Sequence, residues 1–494
     1  MLWYGYIYYA LFSILFIILI LIPLRSFLSR TLIRLTTTTL LTGYFLSALL
    51  FIFLLTLLSL NSTLTYYQYS LTLINNTTID LSYMGLFLSN SFLTINALNL
   101  NLVQVYFYPF IYVFLLITVL AILICLSYNS DELSSFIFYC TIVLVAGYVM
   151  FFTDSLILFF MSYELLLVPS FFILYKFAKT RRCVEAAYLM FFWTQFGALF
   201  LILAFVYLFL VTDSSLFSII TLTYLSNFEV NFIFLCCFIG FGVKLPLWPF
   251  YGWLPKAHVE ASTNFSIFLS GVLVKFAFFG LLKCLFTIQL EPTFIYVYPF
   301  LIIGIVDATF KLFYQIDLKK LVAYATVIEM HWLTMCVISG QSNLLLANFC
   351  MLISHALLST NSFLLVDAVT RRFKTRLISE ISGINMLCPK LFIAILLNSL
   401  IFLGFPGSLF FISEVLFFTF VFDLFPVMTL FLIVLLYLLA PTFFFRSWFN
   451  LMFGKSKALA STVPVDLSTR EYTLFFGIPL LMYWLGLSWQ AFLI

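Results

Sequence analysis

The stretch GFGVKLPLWPFYGWLPKAH, residues 240–258, interrupts a long apolar segment with three prolines and a lysine. Proline lacks a backbone N–H and clashes with the preceding turn, so a helix kinks or breaks where proline occurs. The stretch LGFPGSLFFISE, residues 403–414, breaks a second apolar segment in the same way. Broken hydrophobic helices in two halves of a chain are typical of transporters, because the exposed helix ends can hold an ion. The two stretches therefore predict a helical transport protein.

The composition indicates a protein that lies in a membrane. Of its 494 residues, 64% are hydrophobic and 9% are charged, whereas soluble domains have about 25% charged residues. Uncharged runs such as 8–24, 40–60 and 106–126 are long enough to cross a bilayer as helices. Lipid offers no partner to open backbone groups, and the alternating pattern of barrel strands is absent from the sequence. We therefore predict an all-α, polytopic membrane protein.

Hydropathy predicts about fourteen transmembrane spans in a single membrane domain, residues 1–494. Their approximate bounds are 6–24, 40–60, 106–127, 134–152, 154–175, 186–211, 231–253, 263–289, 293–313, 321–340, 343–370, 389–422, 424–446 and 472–493. The broken stretches fall in spans 7 and 12, so two inverted repeats of five helices would place them in equivalent positions. We accordingly expect four parts, namely helices 1–3 with a loop (1–133), a first five-helix repeat (134–290), a second repeat (293–447), and a basic loop with the last helix (448–494).

The distribution of basic residues supports this count. Lysine and arginine collect on one side of a membrane protein, and 20 of the 23 basic residues follow odd-numbered spans. The exceptions are Lys283, near an even-numbered loop, and Lys244 and Lys275, inside spans. The pattern predicts that both termini lie on the side opposite the basic loops. The first run has no basic segment before it and no cleavage pattern after it, so we expect a retained span.

Five ionisable residues stand inside the apolar spans, namely Glu164, Lys244, Lys275, Glu329 and Glu414. A lysine or carboxylate at a helix centre costs about 2.5–3.5 kcal/mol on insertion scales, so these groups must pair or face water. One interpretation is a set of static buried ion pairs. The other is a proton relay, because a buried lysine gives up its proton when its carboxylate partner moves away.

The three histidines, His258, His331 and His355, are further relay candidates, because imidazole can pass a proton between its two nitrogens. A lone histidine is nevertheless often a hydrogen-bonded core residue. The nine cysteines form no CxxC pair and no metal-ligand spacing with histidine, so we predict no metal site and interpret them as buried hydrophobes. The sequence also carries no phosphate-binding or dinucleotide-binding glycine motif, and we predict no cofactor.

Four stretches resemble the proton-conducting membrane subunits of respiratory complex I and the Mrp-type cation/proton antiporters. In the longest, GFGVKLPLWPFYGWLPKAHVEASTNFSIFLSGVLVKFAFFGLLK (240–283), a lysine precedes a proline, a GWLP-x-AH turn follows, and the next helix carries G-x-L-x-K. The others are ELLLVPSFF (164–172), DLKKLVAYAT (317–326) and LISHALLSTNSFLLVDAVTRRFKTR (352–376). The likeness covers about 154–414, more than half of the chain.

The resemblance implies a role for most of the buried groups. Glu164 and Lys244 match the family's Glu–Lys pair, Lys275 its central lysine, His355 a connecting histidine, and Glu414 the terminal proton carrier. A carboxylate at that last position is typical of one antiporter-like subunit of complex I, whereas the others usually have lysine. The chain also ends about twenty residues after its last loop, too soon for the long lateral helix expected of one of those others.

One departure from the family pattern lies in span 10. Where the family usually has histidine before methionine, this chain has Glu329 before Met330, and His331 follows. Glu329 is therefore a candidate relay residue, together with His258, and the route through span 10 stays open.

The resemblance implies redox-driven proton pumping by a subunit of the complex I membrane arm that has no redox centre. Quinone reduction elsewhere would separate or close the Glu164–Lys244 pair, and a proton would pass through Lys275, near His355, toward Glu414. The implied location is the mitochondrial inner membrane, with the termini on the intermembrane-space side, neighbouring antiporter-like chains and phospholipid as partners, and no nucleic acid. A stand-alone Mrp-type antiporter subunit that exchanges sodium and a spacer without transport are the alternatives.

Overall fold

Apolar helices dominate the described part of the chain, because a helix satisfies its backbone hydrogen bonds internally. The computed structural model describes residues 153–176, 180–221, 223–288, 294–339, 342–424, 426–455 and 465–487, together with scattered helical positions between 136 and 150. Of the chain's two compact units, the one formed by Ile142–Ile494 with Leu120–Cys125 contains every residue discussed below. No strand occurs in the described residues, where two isolated bridges join Ser155 to Leu216 and Asp317 to Leu377.

Twelve principal helices lie within these ranges. They are α1 (Leu156–Lys176), α2 (Arg181–Thr212), α3 (Asn227–Lys244), α4 (Trp253–Glu260), α5 (Thr263–Thr287), α6 (Tyr298–Phe313), α7 (Leu318–Ile338), α8 (Ser342–Phe373), α9 (Pro389–Phe402), α10 (Leu409–Leu424), α11 (Pro426–Met452) and α12 (Thr469–Leu487). In the described part of the chain, seven of them are long and apolar enough to cross a membrane: α1, α2, α3, α5, α7, α8 and α11. The prediction of an all-α, multi-span protein is thereby confirmed. The predicted spans 1–3 lie outside the described residues, so the count of fourteen stays a prediction.

Helices α5, α7 and α8 form the buried centre. Nearly all residues in the apolar windows of these helices are covered by other parts of the protein, whereas about half of α1 and less than half of α2 are covered. Polar residues on α5, α7 and α8 therefore face other helices instead of the hydrocarbon. Ion-bearing side chains are tolerated inside a membrane only in such surroundings.

Both proline-rich stretches interrupt their helices. Helix α3 ends at Lys244, and the chain reaches α4 only after an irregular segment and a short 3-10 turn at Phe250–Gly252. The indole N–H of Trp253 donates to the carbonyl of Val243 over 2.8 Å and so satisfies one acceptor near the break. The second break separates α9 from α10, and Gly404 and Gly407 lie in it with φ of +70° and +90°, angles that favour glycine.

Helices α2 and α3 approach each other closely at a pair of glycines. A Cβ atom added to Gly197 would lie 2.8 Å from the carbonyl oxygen of Gly240. That same carbonyl accepts a hydrogen bond from the Tyr163 hydroxyl, 3.1 Å away on α1. The two glycines thus allow α2 and α3 to pack closely about one helical turn before Lys244, as is common in membrane helix pairs.

We expect Gly197→Ala to destabilise the protein by about 1–3 kcal/mol, because the added methyl would push against backbone and not against a flexible side chain. Gly477→Ala is the matched control, since it lies in helix α12 with no atom within 4 Å of an added Cβ. The thermal midpoint of both variants in detergent would test the packing. Equal midpoints would show that the close approach is not required.

Candidate functional site

A buried lysine on α5 lies against a histidine on α8. Residues Leu269–Leu273 form a turn of π-helix, a wider winding that frees backbone groups and is frequent at functional sites. Lys275 follows that turn, and its ammonium group donates to the carbonyl of Ser270. The same Nζ atom lies 2.5 Å from Nδ1 of His355. Both side chains are almost wholly buried.

The opposite nitrogen of His355 faces a carboxylate on α7. Its Nε2 atom lies 3.1 Å from Oε2 of Glu329, at ion-pair distance although outside hydrogen-bond geometry. A lysine that donates to Nδ1 leaves the imidazole proton on Nε2, the atom that faces the carboxylate. The order Lys275, His355, Glu329 therefore forms a line of three ionisable groups across three buried helices.

A small cavity joins Glu329 to the second broken helix. Its volume is about 20 Å³, enough for a water molecule. Glu329 and Trp332 of α7, Met351 of α8 and Glu414 of α10 are among the residues that line it. Oε2 of each glutamate and the indole N–H of Trp332 are buried without a hydrogen-bond partner in the described structure. A buried polar atom is costly unless it is bonded, so the cavity is suited to hold water.

Lys244 and Glu164 lie near each other without forming an ion pair in the described structure. The ammonium group of Lys244 donates to the carbonyl of Tyr163 over 2.8 Å and lies 3.3 Å from the centre of the Tyr163 ring. Glu164, half-buried on α1, accepts a hydrogen bond of 2.9 Å from the Gln195 amide of α2. Lys244 thus binds the residue that precedes Glu164, and each of the two predicted partners is hydrogen-bonded to a neutral group.

The remaining two histidines differ in their surroundings. His331 accepts a 2.7 Å hydrogen bond from the Trp248 amide at Nε2, and its Nδ1 lies 2.7 Å from the carbonyl of Val327. Both nitrogens are therefore occupied by backbone, and His331 ties α7 to the break after α3. His258 stacks on Phe363 with ring centres 4.8 Å apart, and neither of its nitrogens has a hydrogen-bond partner in the described structure.

Three further side chains contribute to these arrangements and were not singled out from the sequence as site residues. Gln195 and Trp332 occur in apolar helical runs, where single polar atoms leave little signal. Lys319 is buried, and its Nζ donates to the carbonyl of Ala261 over 2.8 Å, at the end of α4. Its motif offered a signal, because Asp317 precedes it as a helix-capping residue and accepts from the Lys319 amide over 2.9 Å at the start of α7.

The chain matches the transmembrane family described as NADH:quinone oxidoreductase/Mrp antiporter over residues 153–440. NADH-ubiquinone oxidoreductase chain 4 of Paramecium tetraurelia is 34% identical over 355 residues, which is 71% of this chain and 73% of that protein. The Chondrus crispus protein of the same name is 31% identical, over 77% of this chain and 78% of its own length.

Solved structures share the fold. A chain of respiratory complex I from Thermus thermophilus with bound NADH has a TM-score of 0.69 at 20% identity, covering 77% of this chain and 81% of that chain. A chain of the Mrp complex from Dietzia sp. has a TM-score of 0.67 at 15% identity, with the same coverage.

We expect His331→Leu to destabilise the folded chain by about 1–3 kcal/mol, because it leaves the part-buried N–H of Trp248 without its acceptor. His258→Leu is the matched control. That histidine is equally buried but gives up no hydrogen bond of its ring, so we expect a smaller loss. The measurement is the thermal midpoint of each variant relative to that of the unchanged protein. A larger loss in His258→Leu would contradict the assignment of His331 as a structural residue.

Proposed function

Because the chain belongs to the family of NADH-ubiquinone oxidoreductase chain 4 and related antiporter-like membrane subunits, we propose that its buried Lys275, His355, Glu329 and Glu414 form the path along which it conducts protons. As a member of this family it is a subunit of an H⁺-translocating oxidoreductase. The contact series from the Lys275 ammonium to the Glu329 carboxylate carries the proposal. Its groups are of three types that bind and release protons, and they meet in the part of the protein that lipid does not reach.

Proton transfer along this series needs only short steps. Lys275 gives a proton to Nδ1 of His355, and the imidazole releases its other proton from Nε2 toward Glu329. The proton then passes from Glu329 through the cavity to Glu414, and from there to the intermembrane-space side. Electron transfer takes place in other subunits of the complex, so this chain supplies the proton path and controls when a proton enters it.

The Glu164–Lys244 pair sets that timing in our proposal. Lys244 on the Tyr163 carbonyl and Glu164 on Gln195 represent the open arrangement. A charge shift from a neighbouring subunit would bring the carboxylate and ammonium together. The change in local charge would then favour or oppose the charged form of Lys275, since buried charges are weakly screened.

The surroundings that we propose follow from the same family. The partners are other membrane-arm subunits, and phospholipid covers the apolar outer faces. The chain lies in the mitochondrial inner membrane, with two inverted repeats and with both termini on the intermembrane-space side. An Mrp-type antiporter subunit is the second candidate, because the structural likeness to Mrp is nearly equal. The names of the sequence relatives favour complex I.

We expect Lys244→Met to leave assembly nearly intact and to lower the number of protons pumped per NADH oxidised. Methionine keeps the volume but carries no proton. Lys244→Arg should also impair pumping, because guanidinium keeps its charge but does not deprotonate in proteins. Lys256→Met is the control, since Lys256 is an exposed lysine of the same broken segment. The measurement is proton uptake by vesicles that contain the complex, with the amount of assembled complex.

A normal ratio in Lys244→Arg would show that Lys244 is a static counter-ion. Proton pumping by the isolated chain without a redox complex, driven by a sodium gradient, would instead support the antiporter alternative.

A further inference from the structure

Two carboxyl groups share the small cavity between α7 and α10. Glu329 and Glu414 are each about 95% buried, and both line its wall. Oε2 of each lies without a hydrogen-bond partner in the described structure, and so does Nε1 of Trp332. Two acceptors and one donor around a space of about 20 Å³ are the surroundings in which a buried water makes its bonds.

Among the described residues that line the cavity, two are acidic and none is basic. Glu329 faces His355 and, through that histidine, the ammonium of Lys275. No lysine or arginine of the described residues lies within ion-pair distance of Glu414. Two carboxylates that share a site shielded from bulk water cannot both be ionised without a large cost, and one of them retains a proton. A single cation can balance a single carboxylate.

The carboxyl group of Glu414, which lines this cavity, lies against the second helix break. Gly404 lies in the break, and a Cβ atom placed on it would lie 2.5 Å from Oε2 of Glu414. The absence of a side chain at this position therefore leaves room for the carboxyl group. The indole of Trp332 is held from the other side by edge-to-face contact with Phe417, at a ring distance of 4.8 Å. Packing thus holds two of the side chains that line the cavity, Glu414 and Trp332.

We infer that Glu329 and Glu414 hold one proton between them and exchange it across a water in this cavity, with Trp332 as the positioning residue. The inference rests on the proposed proton path and specifies its last step. In the resting state Glu414 has the proton, and the ionised Glu329 balances Lys275. When Glu414 releases its proton outward, repulsion between the two carboxylates draws a proton from Lys275, through His355, to Glu329. That proton crosses the water to Glu414.

The shared proton gives a physical meaning to the departure in span 10. A histidine at position 329 would add a potential cation beside Lys275 and His355, whereas glutamate supplies the counter-charge. The release of one proton then loads the next, so that protons leave one at a time.

The test uses the whole complex in vesicles, with Glu329→Gln, Glu414→Gln and the double variant. We expect each single variant to assemble. We also expect the number of protons pumped per NADH oxidised to fall by the number that this chain carries. Per assembled complex, the double variant should pump no less than either single one, because the two groups act as a unit. It should assemble poorly, because neither carboxyl group then remains to balance Lys275, whereas each single variant keeps one. Glu185→Gln, an exposed glutamate, is the control.

Three results would overturn the inference. One is a normal ratio in either single variant, and another is a double variant that pumps less than both singles, which would make the carboxyls independent. Should Glu329→Gln fail to assemble, Glu329→Asp replaces it. Aspartate keeps the charge but withdraws the carboxyl from the cavity, so a normal ratio there is the third contradicting result. Lys275→Met separates this step from the path itself, since a normal ratio in that variant contradicts the proposed function as a whole.

Discussion

The cost of burying the ammonium group of Lys275 governs the structure around it. A charge within a protein core in a membrane loses its hydration, and only close polar partners restore part of that energy. The wide turn at Leu269–Leu273 supplies the Ser270 carbonyl, α8 supplies His355, and α7 supplies Glu329 behind the histidine. Three helices must therefore stay packed around one cation, and this requirement explains why α5, α7 and α8 occupy the centre.

The broken helices meet a related requirement at the edges of that centre. The first break presents a backbone amide, that of Trp248, and the second leaves room for a carboxyl group. At the first break, Lys244 finds the carbonyl of Tyr163, and His331 receives the amide of Trp248. At the second, Gly404 leaves room for Glu414. The prolines and glycines are thus part of the site as much as its charged residues are.

Much of this arrangement could be predicted from the sequence, because its signals are strong and local. Prolines and glycines in apolar runs mark the breaks, and ionisable residues in the same runs mark the centre. The partners could not be predicted, since they depend on helix rotation and on side-chain direction. Gln195 in place of Lys244 beside Glu164, and backbone on both nitrogens of His331, are contacts between distant segments. The family resemblance placed His355 near Lys275, as the structure also does. Without the resemblance, nothing in the sequence favoured His355 over His331 as the neighbour of Lys275.

The central claim is that His355 passes protons between Lys275 and Glu329, and it can be tested in one variant. His355→Gln keeps polar atoms and similar volume at the contact, but an amide does not accept and release a proton near neutral pH. The measurement is the number of protons taken up per NADH oxidised by vesicles that contain the assembled complex. We predict continued oxidation of NADH with a lowered ratio. A normal ratio in fully assembled complex would contradict the account.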